Sequence, residues 1–207
     1  MKENPGLARI IFLVHPPTKA PLSDVELVQR ALADPDDYAK LVERYERPLL
    51  RYLLRISNIS REEGEDLLQN VFLKAYQNLR DFDPDLKFSS WIYRIAHNEA
   101  ISAWRKKSAR AEEVNLENAE AAQLLQSTLD IPAATDEKLL AEFVRSILAK
   151  LDPKYREVLV LRFLESKDYS EISDILRKPM GSVATLVSRA KTAFELAARE
   201  ADLQKFI

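Results

Sequence analysis

An all-α chain is predicted, on three observations. Apolar residues recur at helical spacing from Leu22 to the end of the chain. Ser-x-x-Glu and Asp-x-x-Glu pairs stand where helices should begin. Only 3 Gly occur among 207 residues, too few for hairpin-rich, Rossmann-like or phosphate-loop architectures, which need Gly at tight turns. With 46% hydrophobic and 31% charged residues, the chain can build a core in water.

The elements follow in order. Ser23 and Glu26 form a capping box before Val25, Val28 and Leu32, which are expected inward. Asp34-Pro35-Asp36-Asp37 offers an N-cap, a first-position Pro and acids for the helix dipole. Tyr38, Leu41, Val42, Tyr45, Leu49, Tyr52, Leu53 and Ile56 form one stripe, with Pro48 expected to kink or split it. Ser60 and Glu63 cap a third helix with Leu67, Leu68, Val71, Phe72, Ala75 and Leu79 inward. A loop over residues 80–87 leads to a fourth helix, from about Ser89 to Arg110.

Residues 111–136 change character. Residues 111–137 hold seven acids and no base, whereas residues 87–110 hold six bases against Glu99 alone. A basic helix end therefore runs into an acidic linker. A second helical block opens near Asp136 with Leu139, Leu140, Phe143, Val144, Ile147, Leu148 and Leu151. Asp152-Pro153 restarts it, and Tyr155, Val158, Leu159, Phe163 and Leu164 are expected to pack. The predicted division is an arm over 1–20, a helical bundle over 21–110, a flexible acidic linker over 111–136 and a second small helical domain over 137–207. The anionic linker is expected to compete for the basic faces of the free chain.

Several function classes are excluded. With no Cys, the chain has no disulfide and no thiolate site, and His15 and His97 alone cannot furnish a histidine-rich metal centre. No cofactor is expected. The longest aliphatic run, Ile10 to Val14, is five residues, too short for a membrane span or an export signal.

Asp168 and Glu171 cap a short helix with Ile172, Ile175 and Leu176 inward, and residues 177–181 break it. The next helix, from about Ser182, buries Val183, Val187, Ala190 and Phe194 and presents Ser182, Thr185, Ser188, Arg189 and Thr192. Short hydroxyls and one Arg suit a helix entering a major groove. An ordinary helical corner with a polar outer face has the same pattern.

Longer motifs separate the two. The run 151–163 (LDPKYREVLVLRF), with Tyr169-Ser170-Glu171-Ile172 and Pro179-Met180-Gly181-Ser182-Val183, resembles the promoter-reading C-terminal domain of bacterial sigma factors, specifically the extracytoplasmic-function (ECF) group. The run 65–76 (EDLLQNVFLKAY) resembles that family's core-polymerase-binding helix, and 88–98 (FSSWIYRIAHN) its promoter-melting helix.

The resemblance implies roles. Asp66, Gln69, Asn70 and Leu73 would grip a coiled coil of the polymerase largest subunit, Asn70 standing where the family usually carries an acid. Phe82, Lys87, Trp91, Arg94, Asn98, Arg105 and Lys106 would read and melt the minus-ten element, with Ser102 where the family has Asp. Basic side chains beside aromatics suit single-stranded DNA. Arg177, Lys178, Ser182, Thr185, Ser188 and Arg189 would read the minus-thirty-five element, with uncharged Ala184 and Leu186 where relatives are basic. The implied partners are core RNA polymerase, promoter DNA and an anti-sigma factor, in the cytoplasm and without catalysis. A stand-alone helix-turn-helix regulator is the alternative, and it leaves 65–76 and 88–98 without a task.

Overall fold

The computed structural model describes residues 22–57, 59–113 and 135–201, and among them every regular element is helical. The arm over 1–20 and residues 114–134 of the acidic linker lie outside the described residues.

Helix α1 (Asp24–Ala33) starts at the expected capping box, with Ser23 N–H donating to Glu26 at 2.8 Å. Its buried residues are Leu27, Val28 and Ala31. Leu32 is exposed, because the inward stripe sits one position earlier than the Val25–Val28–Leu32 reading and the helix ends at Ala33. A 3₁₀ turn (Pro35–Asp37), capped by Asp34, feeds helix α2 (Tyr38–Ser57). Arg44 and Tyr45 of α2 hold α1 by donating to Asp24 at 2.6 and 2.5 Å.

Helix α2 runs through Pro48 without a break. A proline removes one backbone donor, here the bond to the Arg44 carbonyl. Leu49, Tyr52 and Leu53, immediately beyond it, are fully buried on the same stripe. Each is worth roughly 1.5–3 kcal/mol of burial, which outweighs a single lost bond.

Helix α3 (Arg61–Gln77) begins at the Ser60–Glu63 capping box and buries Leu67, Leu68, Val71, Phe72 and Ala75. Gly64 allows it to lie close on α2: a Cβ there would stand 2.7 Å from Leu54 Cδ2. A 3₁₀ turn (Leu79–Asp81) and a short loop lead to helix α4 (Phe88–Glu113), which spans roughly 39 Å at 1.5 Å per residue.

The second group comprises α5 (Thr135–Lys150), α6 (Pro153–Leu159), a π-helical turn (Val160–Leu164), α7 (Tyr169–Leu176) and α8 (Met180–Glu200). The π turn changes the expected packing. Glu165 N–H reaches back five residues to the Val160 carbonyl at 2.9 Å. The extra residue turns Phe163, 52% exposed, and Leu164 outward, although the apolar pattern placed both inside. With Val144, Leu148, Leu159 and Phe194 they line an open groove of about 400 Å³. Buried apolar residues of the two helical groups join in one core.

Candidate functional site

The first surface is the outer face of α3. Its capping box and apolar stripe set the rotation, leaving Asp66, Gln69, Asn70 and Leu73 exposed, Leu73 at 55%. Asn70 Nδ2 donates to the Asp66 carbonyl at 3.0 Å, so the amide leans along its own helix. Beside this face, Asp66, Leu67 and Asn70 share a groove of about 460 Å³ with Ala103, Trp104 and Lys106 of α4. Trp104, 55% exposed, was left out of the sequence-derived site. Its signal was there: a large aromatic three residues beyond Ile101, beside three consecutive bases. Lys74 and Glu99, paired at 2.5 Å, tie the two helices together.

The second surface is α4 and the loop before it. Phe82, Phe88 and Trp91 form a ring cluster with centroids 5.2–5.6 Å apart, and Tyr45 packs on Phe88 at 5.4 Å. Phe82 and Trp91, which the resemblance gives to the DNA side, are buried within this cluster. An aromatic cluster buries more apolar area inward than a solvent stripe could. Asn98, Arg105 and Lys106 are exposed and Arg94 is half-buried. Arg94, Asn98 and Arg105, spaced four and seven apart, lie along one helix face. The loop itself is shaped by Asp83, whose carboxylate accepts the Asp85 N–H at 3.0 Å.

His97 lies on the other side, its Nδ1 3.3 Å from the Tyr52 hydroxyl. Burial, aided by the nearby Lys178 charge, lowers its pKa to about 4, so the ring is neutral at physiological pH. Among the described residues no group of three or more His, Asp or Glu could hold a metal ion.

The third surface is the α7–α8 corner. Asp168 caps α7 with the full box to Glu171, and the helix ends at Arg177, whose φ of 51° is left-handed. Ser173 braces the turn by donating to the Lys178 carbonyl at 2.6 Å. Helix α8 begins two residues earlier than expected, at Met180. Arg177, Lys178, Ser182, Thr185, Ser188 and Arg189 are all exposed. The Thr185 hydroxyl donates to the Gly181 carbonyl at 2.9 Å, which leaves its oxygen free to accept. Ala184 is exposed, whereas Leu186 is partly buried against the core.

The second and third surfaces meet. Lys87 Nζ lies 3.1 Å from Asp168 Oδ2 and 3.5 Å from Glu171 Oε2, and Ser89 Oγ donates to Glu171 at 3.3 Å. The candidate minus-ten cation thus rests on the acids that cap the first helix of the corner. Lys87, Asp168 and Glu171 are brought together; Asn98, Arg105 and the exposed residues of α8 remain on separate open faces.

Comparison with known proteins follows the same division. The Sigma-70 region 2 family profile matches residues 41–110, and the Sigma-70 region 4 profile matches residues 144–194. The ECF RNA polymerase sigma factor SigW of Bacillus subtilis is 32% identical over 81% of this chain and 91% of its own length. The sigma-H factor of Pseudomonas aeruginosa is 30% identical over 84% of this chain and 91% of its own. Among solved structures, CnrH in complex with the cytosolic domain of CnrY is similar with a TM-score of 0.62 and 26% identity, over 86% of this chain and 98% of that one. The sigma factor RpoE in complex with the anti-sigma factor NepR from Bartonella quintana shares the fold, with a TM-score of 0.63 and 22% identity over 79% of this chain and 97% of that one.

Proposed function

This chain belongs to the extracytoplasmic-function sigma factors of bacterial RNA polymerase, and from that membership we propose a working division of its surface. As a promoter-specific sigma factor it directs core polymerase to chosen start sites and promotes strand opening there. The observation that carries this is the presence of both sigma-70 regions, in order, on one chain. The alternative, a stand-alone helix-turn-helix regulator, accounts for 144–194 only.

In this division Asp66, Gln69, Asn70 and Leu73 on α3 engage core polymerase. Their exposure supports the assignment, as does the groove shared with Trp104. Lys87, Arg94, Asn98, Arg105 and Lys106 engage the minus-ten strand, with Phe82 and Trp91 bracing the loop and helix from within. Cations on phosphates and an amide on a base edge suit a melted strand. Arg177, Lys178, Ser182, Thr185, Ser188 and Arg189 engage the minus-thirty-five duplex. The working domains are 21–110 and 137–207, joined by the acidic linker over 111–136.

The protein carries no chemistry of its own in this reading; it lends specificity to the polymerase. Among the described residues no helix is long and apolar enough to cross a membrane. We place the protein in the cytoplasm beside the polymerase, with an anti-sigma factor as its restraining partner. Run-off transcription on genomic fragments, with and without the protein added to core polymerase, tests the reading. Discrete new transcripts are expected, and an unchanged pattern would refute it.

A further inference from the structure

Thr185 stands at the centre of the outward face of α8. The helix buries Val183, Val187 and Ala190 and leaves Gly181, Thr185, Ser188 and Thr192 exposed on the opposite side. Their spacing of four, three and four residues makes one stripe along the helix. Gly181 and Thr185 lie in its first two turns, the part of a recognition helix that reaches base edges in a major groove.

The chemistry of these leading turns is one-sided. Residues 180–187 carry no cation and no side-chain amide, the groups that make paired contacts to guanine or adenine. Their side-chain donors are the hydroxyls of Ser182 and Thr185. The second of these is taken by the Gly181 carbonyl, at 2.9 Å. Thr185 therefore offers a base its methyl group and an accepting oxygen. Gly181, one turn earlier on the same stripe, adds room beside them. A Cβ there would meet nothing within 4 Å, so internal packing does not require a glycine that weakens the helix relative to alanine.

Base edges sort by the same chemistry. In the major groove thymine shows a C5-methyl group, and its partner adenine shows an N6 donor. Guanine shows acceptors there, and a G·C pair has no methyl. A methyl and an acceptor match an A·T pair, whereas a guanine beneath Thr185 would face an oxygen with no proton to give it.

We propose that Thr185, with the notch at Gly181, selects an A·T pair in the minus-thirty-five element by packing its methyl on the thymine C5-methyl. The proposal rests on the sigma-factor reading, which puts α8 in that element. Arg177 and Lys178, in the turn before α8, are left to the phosphates, which carry no sequence information of their own.

Uracil lacks the methyl of thymine and is otherwise the same base, so it isolates the contact. A promoter found by run-off transcription on genomic fragments is resynthesised with each upstream thymine replaced in turn by uracil. Binding of the protein with core polymerase is then measured on each duplex. One replacement should weaken binding about fourfold, the worth of one buried methyl group. Thr185→Ser, which keeps the hydroxyl and removes the methyl, should bind the unmodified promoter about fourfold more weakly and ignore that same replacement. Thr185→Val, which keeps the methyl, should remain sensitive to it. Thr185 is exposed, so both variants should keep the wild-type Tm. Equal binding to every uracil duplex, or a Thr185→Ser protein as sensitive as the wild type, would overturn the proposal while leaving the sigma-factor reading intact. An absence of transcripts with core polymerase would remove that reading and the proposal together.

Discussion

Arg156 on α6 donates to the carbonyl of Ile56, near the C-terminal end of α2, at 3.3 Å, while its remaining nitrogens close the end of α5. Those bonds go to Leu148 at 2.9 Å, Ala149 at 2.8 Å and Leu151 at 3.3 Å. The last carbonyls of a helix have no partner within it and carry the negative end of its dipole. One guanidinium thus satisfies two helix ends from different helical groups.

Arg156→Ala should therefore destabilise the protein by about 2–4 kcal/mol, since several buried carbonyls lose a charged donor at once. Arg156→Lys keeps the charge but not the planar fork and should recover only part of that loss. Denaturant unfolding of the three proteins gives the comparison. Equal stabilities would mean that water replaces the guanidinium at no cost.

Glu157, next along α6, is half-buried, and burial raises its pKa from 4.5 to about 7 against the opposing pull of Lys178 and Arg156. The folded state therefore holds this proton more tightly than the unfolded state. Its favourable contribution is complete below pH 4.5 and is lost as pH rises to 7, by about 1–3 kcal/mol. His97, lowered from 6.5 to about 4, acts in the opposite sense, costing stability as pH falls below 6.5. Glu157→Gln isolates the first effect: the variant should gain on the wild type steadily between pH 5 and 7.5. A constant difference in Tm across that range would contradict the assignment.

Asn98 is exposed on the face that carries Arg94 and Arg105. Asn98→Ala should cost about 1–3 kcal/mol at one promoter position, the scale of a base-edge contact. Transcription from a set of single-base minus-ten variants reads this. A uniform loss over the whole set would place Asn98 on the DNA backbone instead.

On α8 the two uncharged positions separate. Ala184 is exposed, so Ala184→Lys should tighten upstream-element binding and steepen its salt dependence by about one unit of slope. Leu186 packs against the core. Leu186→Arg should lower Tm rather than raise affinity, because a charge would enter partly buried surface. Titrations at several salt concentrations, with melting curves beside them, distinguish the two. The sparse charge on α8 also implies that scrambling the minus-ten element will harm transcription more than scrambling the minus-thirty-five element.

What could be read in the sequence was local. The boxes Ser23–Glu26, Ser60–Glu63 and Asp168–Glu171 all form, because their partners lie three residues apart and need no tertiary help. The exposed faces of α3 and α8 followed from helical period alone. The Arg55–Glu165 and Tyr93–Glu165 contacts span 110 and 72 residues, and no periodicity encodes such a pairing. Phe163 and Leu164 read as core because a π turn shifts the period within a single turn. Trp91 and Phe82 were placed beside DNA by resemblance, whereas their own size and apolarity argued for the cluster that they form.

The central claim is that this chain delivers core polymerase to promoters through the outer face of α3. The most direct measurement is initiation by a limiting amount of core polymerase on genomic fragments, with wild-type protein competed by Asp66→Arg. Asp66 is exposed, so the variant should keep its fold and its Tm. The account predicts discrete transcripts with the wild type, and a variant that neither starts them nor displaces the wild type. Promoter binding by the protein alone, with core polymerase adding nothing and Asp66→Arg competing at full strength, would contradict it.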